Sequence, residues 1–332
     1  MAVSKTNESG IKMKRLIFIA ITTIFSIIFS TGCAQKPEEV KIGYMPYTSN
    51  LPFFVAQEKG FFKEVGLEVK SVRFGSSKEA MDALLTGKID AECTIGLSTL
   101  FAIESSSPGQ IKFYLPSVEM EDKFCSYLLV RKGSGILTIE DLRGRKIGTY
   151  TGTTQLLYLT LLLKKLGIDS KKDVTIIQVS PQLEIEAFGT GQFDVLYTIE
   201  PNATIAIENG LGEPLIKNPR SKYIISPFPA GAIPFTTKFV EEQTDKAKKI
   251  YRSMDKAVDF IKVNEDEAKI LVSKYTGLEE KIALKAGLYK WWKMDETDIM
   301  PMQKLADMLY ENDIISARIN VSKMLLTEED LR

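Results

Sequence analysis

ALLTGKIDAECTIG, residues 83–96, is answered later in the chain by AFGTGQFDVLYTIE, residues 187–200. Ala83, Thr86, Gly87, Asp90, Thr94 and Ile95 recur in register as Ala187, Thr190, Gly191, Asp194, Thr198 and Ile199. The match extends outward. Lys41-Ile42-Gly43 opens the first unit and Lys146-Ile147-Gly148 the second, each followed by a Thr/Ser/Gly loop and an apolar helical pattern. Gly66 and Gly167 stand where those helices would stop, in positions that favour a left-handed residue. A β-rich run follows in each unit (LEVKSVRF; VTIIQV), then a helix (KEAMDALLTG; QLEIEAFGTG), then a strand (IDAECTI; FDVLYTI). Strand–helix–strand–helix–strand, written twice, predicts an α/β protein of two lobes, each on a doubly wound and mostly parallel sheet. The shared phrase reads as an internal duplication.

A chain of 332 residues is long enough for two such bodies, and 44% hydrophobic with 26% charged residues is ordinary globular composition. Formal charge sums to zero, but Lys5, Lys12, Lys14 and Arg15 in the first thirty-two residues face only Glu8. The remaining body is mildly acidic, which excludes the basic footprint of a nucleic-acid binder.

Those first residues read as an address. Lys12, Lys14 and Arg15 precede an apolar run from Leu16 to Phe29, closed by Ser30-Thr31-Gly32-Cys33. The run is short for a bilayer span, and its basic flank and small-residue exit fit a signal peptide over residues 1–32. Ser-Thr-Gly-Cys resembles a bacterial lipobox, which implies cleavage before Cys33, a lipid on its thiol, and a tether over residues 33–39. Cys93 and Cys125 each sit in an apolar, strand-like run and read as buried thiols.

Residues 40–129 and 228–332 are expected to form the first lobe and 130–227 the second. Chain crossings near Ser126–Val130 and Pro227–Pro234 would form a hinge that closes a cleft. Beyond them, Ala247, Ile250, Met254, Ala257 and Ile261 mark one apolar helix face. Asn264 and Glu267 match a capping box, and Trp291-Trp292 would pack between helices.

Open α/β sheets bind ligands at the carboxyl ends of their strands, where helices begin. The loops there are Ser49-Asn50-Leu51-Pro52, Gly75-Ser76-Ser77, Gly96-Leu97-Ser98-Thr99, Gly152-Thr153-Thr154 and Glu200-Pro201-Asn202. Each also serves as an ordinary helix cap. Converging helix N-termini would let them hold an anionic or strongly accepting group without lysine or arginine. Glu200, where the first unit has Gly96, would accept hydrogen bonds from an amine or amino-heterocycle. Tyr44, Tyr47 and Tyr150 lie on or beside the same loops.

Taken together, GYMPYTSNLPFFVAQEKGFF, FGSSKEAMDALLTGKIDA, LTIEDLRGRKIGTYTGTTQLLYL and the Ile-Glu-Pro at 199–201 resemble solute-binding proteins of ABC importers, over residues 40–260. The nearest branch is the sulfonate, nitrate and taurine type, whose domain is shared with binders and makers of the thiamine pyrimidine. The resemblance implies a two-lobed type II periplasmic-binding fold. It implies a lipid-anchored, extracytoplasmic, monomeric receptor that hands a small solute to a permease and its ATPase. The resemblance maps contacts onto Tyr47, Thr48, Asn50, Gly96 and Ser98 in one lobe, and Gly152, Thr153, Thr154 and Glu200 in the other; the loops themselves add Tyr44, Ser76 and Asn202 as candidates. A thiamine-precursor pyrimidine, or another heterocycle such as riboflavin, is an alternative solute. A membrane-anchored sensor is an alternative role.

The chain contains no histidine. That removes Ser–His and Cys–His nucleophile pairs and the commonest transition-metal ligand. GTYTGTT lacks the lysine of a phosphate-binding loop. No enzyme activity, metal or cofactor is expected.

Overall fold

The repeated phrase makes the same hydrogen bonds in both places. Thr86 Oγ1 donates to the carbonyls of Asp82 and Ala83, at 2.6 and 3.4 Å. Thr190 Oγ1 does the same to Glu186 and Ala187, at 2.9 and 3.3 Å. The glycine that follows is left-handed, with φ 70° at Gly87 and 77° at Gly191. The aspartate then ties the turn to the first strand of its unit. Asp90 accepts from the Lys41 N–H at 2.7 Å and Asp194 from the Lys146 N–H at 3.4 Å. Backbone bonds return from Asp90 N–H to Lys41 O and from Asp194 N–H to Lys146 O, at 2.8 and 2.9 Å. The phrase is therefore a helix stop joined to a strand start. A Cβ at Gly87 meets no atom within 4 Å. Gly87→Ala is thus expected to cost about 1–2 kcal/mol through the backbone alone. Urea unfolding with a shifted midpoint and unchanged slope would show it.

The computed structural model describes residues 37–332. The expected leader, Cys33 and residues 34–36 lie outside the described residues. Glu38 and Glu39, expected in the tether, instead begin a strand paired with Leu67 and Glu68.

The strands are β1 (Glu38–Tyr44), β2 (Leu67–Arg73), β3 (Ala91–Glu92), β4 (Ile95–Gly96), β5 (Ile111–Glu119), β6 (Ser126–Arg131), β7 (Lys146–Tyr150), β8 (Thr175–Val179), β9 (Val195–Ile199), β10 (Gly212–Lys217), β11 (Phe228–Thr236) and β12 (Lys290–Trp291). β2, β1 and β3 run parallel in that order. β4, just beyond β3, pairs antiparallel with β11, which pairs antiparallel with β5. The second sheet runs β10-β6-β9-β7-β8, with β7 parallel to β8 and β9, and β6 antiparallel to β9 and β10. The two orders correspond, as a two-lobed α/β fold requires.

In each sheet the inner strand running against its neighbours is the first one formed after the chain crosses over. β6 follows residues 120–125, and β11 follows residues 224–227. The crossings thus lie just before the segments the sequence suggested, which are themselves strands. Asn218 clamps the first crossing from a buried, left-handed position (φ 51°). Its Oδ1 accepts from Cys125 N–H at 2.9 Å, and its Nδ2 donates to Met120 and Lys123 carbonyls at 2.6 and 2.8 Å. These bonds satisfy backbone groups that the departing chain leaves unpaired.

After β11 the chain returns to the first sheet. Helix Thr244–Val263 buries Ala247, Ile250, Met254, Ala257 and Ile261, the face its spacing marks. It shares an apolar core with helix Leu51–Glu58. One local expectation fails: Asn264 makes no capping box, and its Nδ2 donates to Phe260 O at 3.1 Å, serving the end of the preceding helix. Trp291 lies on β12, paired with Ser117 of β5, its indole N–H reaching Ser49 O at 3.3 Å, and it is buried in the core shared with helix Thr244–Val263. Cys93 and Cys125 are free, buried thiols. Among the described residues no helix is long and apolar enough to cross a membrane.

Candidate ligand-binding site

β1 runs out toward Tyr47, β4 into helix Leu97–Ser106, β7 into Gly152 and helix Thr153–Lys165, and β9 into Glu200. Between these strand ends lies a cleft of about 570 Å³, within the range that encloses small ligands. A groove of about 730 Å³ lies elsewhere on the first sheet, beside the Thr86-Gly87 turn and helix Thr237–Glu242. The strand-end cleft has the position that open α/β sheets use for ligands.

Tyr47, Ser76, Gly96 and Ser98 line the cleft from the first sheet, and Gly152, Thr154 and Glu200 from the second. Thr153 is the first residue of its helix. Tyr44, Thr48, Asn50 and Asn202 are placed differently. Tyr44 packs in the core against Phe53 and Tyr275, each at 5.8 Å between ring centres. Thr48 and Asn50 are buried in a 3₁₀ turn, their side-chain polar atoms unpartnered. Asn50 does not cap the following helix, because its backbone (φ −87°, ψ 6°) is not the extended form a side-chain cap uses. Asn202 Nδ2 donates to Glu184 Oε2 at 2.7 Å and Pro181 O at 3.3 Å.

Glu200 lines the cleft, but its oxygens are engaged. Thr204 donates to it through N–H at 3.1 Å and Oγ1 at 2.9 Å, and Gly287 through N–H at 3.3 Å. The carboxylate therefore holds a helix start and the 287 segment, where the sequence suggested a ligand amine. Ser76 likewise accepts from Glu79 N–H at 3.3 Å. The helices after Gly96 and Gly152 have no side-chain cap at all.

Burial pushes the Glu200 carboxyl up to about 7, against the opposing pull of its hydrogen bonds. Glu184 is likewise pushed up to about 7 by burial, opposed by bonds from Asn202 and Thr198. Both exceed the unfolded value, so the folded chain binds more protons between them and stability falls as pH rises through about 7. Each group is worth about 3 kcal/mol across that window. Urea midpoints are expected to drop between pH 5 and 8. Glu184→Gln should flatten that drop; an unaltered profile in the variant would exclude Glu184 as a contributor.

The sequence reading missed Arg220. It comes from the five-residue helix Pro219–Tyr223 between β10 and β11, is 5% exposed, and lines the cleft. Its Nη2 pairs with Glu119 Oε1 and donates to the Tyr289 hydroxyl at 3.4 Å. Glu119 is fully buried and also accepts from Ser126 Oγ at 2.8 Å. The guanidinium lies 4.8 Å from the Phe228 ring centre, and its Nε is buried without a partner. Its charge draws down the hydroxyls of Tyr150, Tyr158 and Tyr289, although burial dominates and raises all three. No motif surrounds Arg220: Asn-Pro-Arg-Ser-Lys reads as a polar turn.

A family model described as NMT1/THI5 like matches residues 47–268. The chain belongs to that family. Among NMT1/THI5-like relatives, one from Bacillus subtilis (strain 168) that carries the name aliphatic sulfonates-binding protein is 27% identical over 279 residues, covering 81% of each chain. The solved periplasmic aliphatic sulphonate binding protein SsuA from Escherichia coli superposes with a TM-score of 0.70 at 17% identity, covering 89% of this chain and all of that one. The alkanesulfonate-binding protein SsuA from Xanthomonas axonopodis pv. citri, bound to MOPS, gives 0.70 at 18% identity over 88% of this chain and 99% of that one. The two-lobed periplasmic-binding fold is thereby established for this NMT1/THI5-like chain.

Proposed function

We propose that the protein is the extracytoplasmic solute receptor of an ABC importer, closing two lobes on a small anion of the sulfonate, taurine or nitrate class. The observation that carries this reading is the strand-end cleft, in which a buried guanidinium and hydroxyls from both sheets face one space. Uncapped helix starts at Gly96 and Gly152 add donors to the same space. The bodies that close are residues 40–125 with 228–332, and residues 126–227, the expected 129/130 boundary moving back because β6 belongs to the second sheet. Lipid on Cys33 holds the receptor at the membrane, and a permease with its ATPase takes the solute. The sulfonate-binding names of its relatives support the solute class.

Thermal melting against alkanesulfonates, taurine, nitrate, aminopyrimidines and flavins tests the reading. A true ligand at one hundred times its Kd adds about 2.7 kcal/mol. A selective shift with an anion is the expected result. A shift only with an aminopyrimidine or flavin would replace the solute class, and none at all would overturn the receptor assignment. Cys33→Ser is expected to move the protein from the membrane fraction to the soluble one.

A further inference from the structure

We infer that the solute's negative charge enters the cleft together with a proton, which the buried carboxyls of Glu184 and Glu200 take up from solvent. The inference rests on the receptor reading and deepens it: the proton is a second ligand, and the protonated wall is the form that binds the anion.

Both carboxyls stand at the second sheet's side of the cleft. Glu200 lines it, and Glu184 directly follows the turn Pro181–Leu183, whose Pro181 lines it. Each residue is 1% exposed. Among the described residues neither has a cation to offset its charge. Glu184 Oε2 accepts from the neutral side chains of Asn202 and Thr198, at 2.7 and 2.9 Å, and its buried Oε1 has no partner. Thr204 and the Gly287 N–H, the partners of Glu200, are also neutral. Arg220, the buried cation of the cleft lining, is spent on Glu119, and Lys78 on that lining is exposed to solvent.

The titratable groups that face these carboxyls bring no positive charge. Tyr47, from the first sheet, and Tyr150 line the cleft near Glu184. Burial raises both hydroxyls and the charge of Glu184 adds to the rise, which Arg220 opposes at Tyr150. Tyr127 and Cys125 flank Glu200, each raised by burial and then by carboxylate charge. Lys146, Glu186, Glu208 and Lys285, on neighbouring elements, are exposed. Ionised, the two carboxyls would repel an arriving anion through a medium that water screens poorly. Protonation removes that repulsion, so anion and proton each favour the other's binding. Both groups sit at about 7 in this fold, and a bound anion holds them higher still. Affinity is therefore full below about pH 7 and falls as pH rises through the window above it. The chain has no histidine, so no side chain of ordinary pKa titrates there. Burial also raises Glu92, and draws Asp255 up to about 6, but neither lines the cleft.

Calorimetry on the purified protein uses ethanesulfonate and nitrate, strong-acid anions with no titratable proton of their own. Near neutral pH, in buffers of different ionisation enthalpy, the observed heat is expected to vary with the buffer in the sense of proton uptake by the protein. Heats independent of the buffer, or proton release, would overturn the inference. Affinity is expected to fall roughly 10-fold from about pH 6 to about pH 8.5; a level profile would overturn it as well.

The paired variant Glu184→Gln with Glu200→Gln makes the wall permanently neutral. At about pH 8.5 it is expected to bind both anions roughly 10-fold more tightly than wild type, with the buffer dependence abolished. Weaker binding at every pH, or an unaltered buffer dependence, would make the two carboxyls structural only. The buffer series on the unaltered protein decides the case in which the variant does not fold. Anion binding without proton exchange would sink this inference and leave the receptor reading intact. No binding of any anion to wild type would sink both.

Discussion

Gly287→Ala is expected to destabilise the fold by about 3 kcal/mol or more. A Cβ at this position would lie 1.7 Å from the Phe124 carbonyl oxygen and 2.7 Å from its carbon. Both are backbone atoms of the crossing between the sheets, so neither can rotate aside. Relief requires the 287 segment to lift away. That segment donates the Gly287 N–H to Glu200 and carries Tyr289, whose hydroxyl meets Arg220. Lifting would leave Glu200 buried with one donor fewer, so packing and polar losses add. Urea unfolding checks the prediction, and a wild-type midpoint would show that the crossing yields freely.

Arg220→Met is expected to cost about 3–5 kcal/mol, because it strands a fully buried Glu119 with only the Ser126 hydroxyl as partner. Glu119→Leu should cost a similar amount by stranding the guanidinium. The double substitution removes both charges together and should be much less damaging than the sum. A double-mutant cycle measures this directly. Additive losses would mean that the pair is not energetically coupled.

The lobes were legible because their signals are local and repeated. Thr86-Gly87 and Thr190-Gly191 each end a helix through bonds within four residues, and Asp90 and Asp194 each tie that turn back to the first strand of its unit. The same local stop and the same tie leave the same letters in the chain twice. The cleft-lining loop residues Ser76, Gly96, Ser98, Gly152 and Thr154 were legible for a related reason: helix starts at strand ends face the cleft by topology. Arg220 was not, since its meaning comes from Glu119 and Tyr289, residues far away in sequence that meet it only in the folded chain. Asn50 and Glu200 show the opposite limit. Their residue types suggested polar contacts, but a 3₁₀ turn buried the first and Thr204 with Gly287 engaged the second.

The order in which the strands pair has a bearing on how the chain folds as it is made. The second sheet draws all its strands from Ser126–Lys217, one uninterrupted stretch of chain. The first cannot join β4 to β5 until Phe228–Thr236 arrives between them. A chain emerging N-terminus first would thus complete its second sheet while β4 and β5 still present open edges, the kind of surface that invites pairing with a neighbouring chain. The stage of synthesis most exposed to aggregation, or most in need of a chaperone, is therefore the emergence of residues 120 to 236.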